Sequence, residues 1–300
     1  MLLEGLLPDF VTRFVFILAA LLALLDGSLP AAPLDGARVS RVVNEVSIAP
    51  TGGGMRRLSG PDSIHAGERL TVGARSRAEL LFADGTLARL GAGTVLALPH
   101  GRRELTLERG TLLLEVPARR GGARIHCGGL SGEGDRATII LEHLEGRSVK
   151  VAVLAGDVRI FTGGRFGDSI ILRPGKLLIT APDVQQIPDP ADVDLAALVK
   201  TSALLSAAPF ATSPLASLPR IEREIALQAA AVARRRLIPT NLTIVGSGTQ
   251  IVVPAAAWRE VVAAPAPPLT NERSRIKGEK LAIKQGSVAS GIDGNFRAAP

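Results

Sequence analysis

Between residues 105 and 179 the chain writes one phrase three times: a short β-forming run, a glycine beside a charged residue or proline, and a second β-forming run. The phrase stands at Leu105–Val116 around Gly110, at Val149–Phe161 around Gly156, and at Ile170–Ile179 around Gly175. Glycine reaches positive φ without steric cost, so each of the three is read as a structural turn. Alternation of Val149, Val151 and Val153, and of Val158 and Ile160, turns one set of side chains inward. Such a chain is mainly β: short strands stacked as a sandwich, a roll or a short solenoid. The spacings between phrases are unequal, and a solenoid needs a period. A true repeat and ordinary hairpin grammar therefore both remain open.

Upstream, Ala78–Phe82, Asp84-Gly85 and Thr86–Leu90 spell strand, Asp-Gly turn, strand. Leu87 and Leu90 do not share one parity, which predicts burial on both faces in places, or a bulge. Aromatic residues are 3% of the chain, with 8 Phe, 1 Trp and no Tyr. Aliphatic side chains must then build the core, and aromatic stacking on bases is argued against. A hydrophobic share of 46% excludes wholesale disorder.

The grammar changes along the chain and divides it. Phe14–Leu25 is an unbroken apolar run preceded by Arg13. Its length suits a signal-peptide core of about 7–15 residues better than a membrane span of about 20. Residues 1–25 are read as a signal peptide, or as an uncleaved anchor with the body outside. Export to the periplasm follows, with membrane contact only through this segment. Residues 26–54 read as a linker, with a strand expected within 38–48. Residues 55–182 form the β domain. Residues 183–262 are expected to hold helices and a small hairpin: one helix capped by Asp192, a second starting near Arg220, and a hairpin over Leu242–Val253 around Gly246 and Gly248. Residues 263–300, rich in Pro, Gly and charge, are expected to be disordered.

No catalytic constellation, metal set or cofactor motif stands out. One cysteine, Cys127, excludes an intrachain disulfide and any multi-cysteine zinc site. His126 and Cys127 are neighbours, so on a strand they face opposite ways. His65, His100 and His143 are expected at the surface. Gly246-Ser-Gly248 lacks the remainder of a phosphate loop. The formal charge of +7 favours acidic partners. The loop pairs Arg102-Arg103 and Arg119-Arg120 are the candidate interaction residues. A nucleic-acid partner is not expected, since no binding module is visible.

Val72–Gly91, reading VGARSRAELLFADGTLARLG, resembles the hallmark of FecR-type domains. Leu107–Pro117, Val153–Arg159 and Leu172–Lys176 resemble the later elements of that family, in the same order. The resemblance covers about Gly60 to Ala181. It implies an extracytoplasmic all-β domain of a family known for relaying a signal from an outer-membrane receptor. Met1–Thr12 is shorter than an anti-sigma segment, so the expectation is a FecR-like protein without one. Gly128–Ala137 stands where the family has a good strand, and is expected to be a loosened or edge strand open to strand addition. The implied function is non-enzymatic: an envelope interaction module that binds a protein or an acidic polymer, or else a stand-alone regulator in cell-surface signalling.

Overall fold

The computed structural model describes residues 34–50, 52–101, 103–118, 121–163, 167–205, 214–243 and 250–255, the side chains of 241–243 and 250 excepted. Apart from a separate two-stranded hairpin near the end of the described chain, their β-strands form two sheets that share one long strand. The first sheet runs β4 (Asp62–His65), β1 (Gly36–Val43), β6 (Arg77–Phe82), β7 (Leu87–Leu90), β9 (Glu104–Glu115), β12 (Thr138–Leu144), β13 (Ser148–Ala155), β16 (Lys176–Thr180) and β17 (Ala191–Asp192). The second runs β3 (Arg56–Arg57), β2 (Val46–Pro50), β5 (Glu68–Val72), β8 (Val95–Ala97), β9 again, β10 (Ala123–Cys127), β11 (Leu130–Gly134), β14 (Val158–Thr162) and β15 (Ser169–Leu172). Every pairing is antiparallel except β9 with β10, which is parallel.

Strand β9 joins the sheets because it bends at Gly110. Residues before the bend pair with β8 and β10, and residues after it pair with β7 and β12. Gly110 has φ +94, and a Cβ there would run into the Cα of Thr94. The Thr94 hydroxyl clamps the bend: it donates to Thr111 O at 3.0 Å and accepts from Thr111 N at 3.0 Å. Gly110 is thus a bend inside one strand, not a turn between two.

Gly156 and Gly175 also differ from the hairpin reading. The strands on either side of each do not pair with one another. Gly156 separates β13 of the first sheet from β14 of the second, and Gly175 separates β15 from β16. Both sit at corners where the chain changes sheet. A glycine of positive φ serves a corner as well as a hairpin, which is why local sequence does not separate the two. The corners are bonded to each other, as in Gly73 N to Glu45 O at 2.8 Å, Gly93 N to Gly73 O at 3.2 Å and Gly175 N to Val153 O at 3.0 Å. Gly85 alone of the four turn glycines caps a two-strand hairpin, β6–β7.

One core fills the space between the sheets. Val39, Leu80, Phe82, Leu112 and Leu141 come from the first sheet, and Ile48, Leu70, Leu107, Ile125 and Ile160 from the second. The first sheet is buried on its other face too. Helices α1 (Leu195–Thr201) and α2 (Leu218–Ala233) and the turns beside them set Leu195, Leu204, Leu215 and Ile221 against Leu87, Leu113 and Leu154. All four residues of β7 are therefore buried, which accounts for the mixed parity of Leu87 and Leu90.

Several expectations are corrected. The stretch read as linker contains β1 and β2, both paired into the body. Gly128–Ala137 is not an open edge: β11 pairs with β10 on one side and β14 on the other. Its glycines are there for space, since a Cβ at Gly132 would stand 3.2 Å from Ile125 Cγ2 and 3.3 Å from Ile160 Cδ1. Helix α1 is capped by Asp194, whose carboxylate accepts from Ala197 N at 2.9 Å; Asp192 belongs to β17 and pairs with Lys176. The hairpin is β18 (Leu237–Thr243) with β19 (Gln250–Pro254), so it begins five residues before the expected Leu242, with Leu237 opposite Pro254. Gly246 and Gly248 lie outside the described residues, as do the apolar run Phe14–Leu25 and the tail 263–300. Among the described residues no helix is long and apolar enough to cross a membrane.

Candidate functional site

Three cross-strand rows run over the outer face of the first sheet. The central row is Glu79, Arg89, Leu113, Ile140, Ala152 and Leu177. On one side lie Leu87, Glu115 and Thr138, and on the other Thr111, Glu142, Lys150 and Ile179. The C-terminal extension covers the first two and leaves much of the third open.

Most of the polar groups that the extension buries are matched, while Thr138 Oγ1 and Ser217 Oγ are buried without a hydrogen-bond partner among the described residues. Arg89 donates to Glu79 at 2.9 Å and, from Nη1, to Leu204 O at 3.1 Å; Ser40 Oγ donates to Glu79 at 2.8 Å. Glu115 accepts from the Ser217 amide and from the Ala216 amide at 3.3 Å. Ser217 makes no side-chain cap of its own, so a carboxylate from β9 occupies the positive end of α2. Gln228 on α2 accepts from Leu195 N at 2.9 Å and donates to Val193 O at 2.7 Å. Arg220 donates to Arg136 O beside Glu115. Burial, and then the neighbouring Arg136 guanidinium, lower the Arg220 pKa against the opposing pull of Glu115.

Beside this latch lies a cleft of about 580 Å³. Its floor is the third row: Thr111, Glu142 and Lys150, with Ile140, Ala152 and Leu177 below the helix. Its rim is Arg75 from the corner before β6 and Arg77 at the start of β6, and its roof is Leu198, Thr201, Ser202, Ala203 and Leu204. Lys150 is 8% exposed, and its Nζ lies 3.3 Å from both oxygens of Glu142 directly across the β12–β13 pair. Arg75 takes φ 53, held by Asn44 Nδ2 donating to Arg75 O at 2.6 Å. Among the described residues neither Arg75 nor Arg77 has an ion-pair partner. The cleft thus joins an apolar wall to an unbalanced cationic rim.

The residues singled out from the sequence are placed elsewhere. Asp84 and Arg103 form an ion pair with side chains 10% and 13% exposed. Arg103 also donates to Gly122 O at 2.7 Å, and Asp84 accepts from Thr86 N at 2.8 Å. Arg103 therefore pins a loop to the Asp-Gly hairpin instead of facing a partner. Arg102, Arg119 and Arg120 lie outside the described residues. His143 is buried and not at the surface; its Nδ1 faces Leu107 O at 3.2 Å, so that nitrogen carries the proton. His65 and His100 are exposed. Cys127 is 1% exposed, and burial pushes its thiol up to about 12, where it is no nucleophile. Among the described residues no three His, Cys, Asp or Glu side chains gather as a metal site.

Arg75, Arg77, Glu142 and Lys150 were not singled out from the sequence. The signal for two of them was present: Glu142 and Lys150 stand at the outward parity of otherwise apolar strands. Their meeting with Arg77 depends on β9 lying between β7 and β12, which no local pattern announces.

The model of the family described as FecR protein matches residues 68–159. No curated protein matches the chain. Among solved structures, two crystal structures of a candidate anti-sigma factor from Parabacteroides distasonis ATCC 8503 are similar. One, at 1.65 Å resolution, is 18% identical with a TM-score of 0.36, covering 40% of this chain and 57% of its own. The other, at 2.50 Å, is 15% identical with a TM-score of 0.37, covering 45% and 64%. The chain thus spans less than two thirds of the length of either. The family match takes in the hairpin β6–β7, the bend in β9 and Thr111, Ile140, Glu142, Lys150 and Ala152 of the cleft floor, while Leu177 and the roof of the cleft lie beyond it. Residues 68–159 of this chain are a FecR-like domain.

Proposed function

We propose that the chain is an exported, non-enzymatic FecR-type module that binds a partner in the bacterial envelope and acts as a regulator in cell-surface signalling. The observation that carries this reading is the FecR match over residues 68–159. FecR-type domains act by binding and relaying, and this one sits inside a two-sheet body whose outer cleft offers a surface for recognition. The apolar run Phe14–Leu25 supports export.

Topology tests the reading first. Cells producing the full chain with a C-terminal tag are treated with protease from outside the inner membrane, and the N-terminus of the recovered chain is read. The expected result is a body accessible from outside, cut or anchored near residue 26. A protected, uncut, soluble chain would overturn export and with it the envelope role. Crosslinking in the same cells then separates the two kinds of envelope work. A receptor or a sigma-factor regulator among the products supports signalling, and an envelope polymer supports a plain interaction module.

A further inference from the structure

We infer that the cleft between the first sheet and helix α1 binds an acidic peptide segment, its carboxylates on Arg75 and Arg77 and its apolar side chains on Leu177, Leu198 and Leu204. The inference rests on the reading of the chain as a binding module and names the partner chemistry of that surface. Three observations carry it. The cleft, at about 580 Å³, falls within the usual range of roughly 300–1,000 Å³ for a ligand site. Its charge does not balance: Arg75, Arg77 and Lys150 face a single carboxylate, Glu142, among the described residues lining it. Its wall is apolar where Leu198 of α1 and Leu204 overhang the sheet, so a purely ionic ligand would leave that wall unfilled.

Lys150 sharpens the argument. Lys150, a residue 8% exposed whose ammonium has one carboxylate partner 3.3 Å away, holds donors that can turn to a second carboxylate entering from the open side. Glu142 competes with such a ligand for Lys150. Acidic peptides and Glu142 must then be antagonists, and removing the charge of Glu142 strengthens binding where a structural ion pair would predict only loss. An extended peptide suits the shape as well as the charge, because alternate side chains of a strand point opposite ways. Carboxylates can meet the rim while the residues between them meet the wall.

Binding is measured on the full chain by fluorescence anisotropy. The probe is a pool of labelled hexapeptides alternating Asp or Glu with Leu, Ile or Val, compared with the same pool carrying Asn and Gln. The acidic pool is expected to bind saturably, at least about tenfold more tightly than the amide pool, and more weakly as salt rises. Arg75→Glu with Arg77→Glu is expected to cost about tenfold or more. Thr201→Trp, which fills the mouth, abolishes binding, and Glu142→Gln tightens it by about fivefold. Circular dichroism melting of each variant reports whether the fold is kept, and the opposite sign at Glu142 cannot come from misfolding. Absence of saturable binding, equal binding of the amide pool, or weaker binding by Glu142→Gln would overturn the inference. Because these readouts are made on purified protein, they are independent of topology. Peptide binding by a chain that stays inside the cell would sink the envelope role and leave the cleft assignment standing.

Discussion

Gly85 and Gly110 share a left-handed backbone, with φ of +87 and +94, and differ in what surrounds them. Beside Gly85 the nearest atom to an added Cβ is Pro117 Cγ at 3.8 Å, an ordinary contact. Beside Gly110 the Cβ would overlap the backbone of Thr94. Alanine at Gly85 is expected to cost only the left-handed strain, about 1–2 kcal/mol. Alanine at Gly110 should cost clearly more, because backbone must move and the Thr94 clamp opens. Urea unfolding of the two variants checks the order, and equal losses would mean that β9 does not need its bend. Cys127 gives a second residue-scale expectation. Its thiol is raised to about 12 in the fold, against 9.0 for a free thiol. Between those values the unfolded chain loses a proton that the folded chain keeps. The contribution to stability is therefore complete below pH 9 and declines as pH rises toward 12. The difference in stability between wild type and Cys127→Ala should shrink over that window, and native protein should resist iodoacetamide at pH 8. Rapid labelling of folded protein would show that the site is open.

At the scale of elements, the buried pair Glu79–Arg89 does two jobs. It spans β6 and β7, and through Leu204 O it holds the turn after α1. With side chains 2% and 3% exposed, the pair is costly to break from one side. Arg89→Met leaves the Glu79 carboxylate buried, with Ser40 as its remaining donor among the described residues, and is expected to destabilise by about 3–5 kcal/mol. The double variant Glu79→Leu with Arg89→Met should recover most of that loss by thermal or urea unfolding, since no lone charge is then buried. No recovery would mean that the tie to Leu204 carries the cost. Helix α2 depends on β9 in a similar way. Glu115→Gln keeps an acceptor for the Ser217 amide and removes the charge at the positive end of the helix. It should lower hydrogen-exchange protection across 218–233 by about 1 kcal/mol and leave β12 and β13 unaffected.

On the scale of the whole molecule, the extension is the outer layer of the fold. A chain ending after Ala181 would uncover Leu87, Leu113, Leu154 and Leu177 on the outer face of the first sheet. An apolar sheet face of that kind calls for a partner, so the shortened chain should self-associate or bind a hydrophobic dye where the full chain does not. A monodisperse monomer by light scattering would show that the sheet tolerates water. Much of the β body could be read in advance. Alternation in β13 and β14, the Asp84-Gly85 hairpin and the family-like run from Val72 to Gly91 all depend on neighbours in sequence. Less of the cleft was legible, because Arg77, Thr111, Glu142 and Lys150 come from four strands and the roof from a fifth region.

What the sequence by itself determined was local: which runs extend, where φ turns positive, which parity is apolar, and that α2 has one buried face. Such properties come from sterics and periodicity within a few residues. Only the tertiary structure decided whether a glycine closes a hairpin or turns a corner between sheets, and that Gly128–Ala137 lies inside a sheet instead of at its edge. It alone decided that Arg103 points inward to Asp84. Those outcomes depend on which distant strands come to lie side by side. That choice is made by burying both faces of the first sheet at once, between the second sheet and the C-terminal helices.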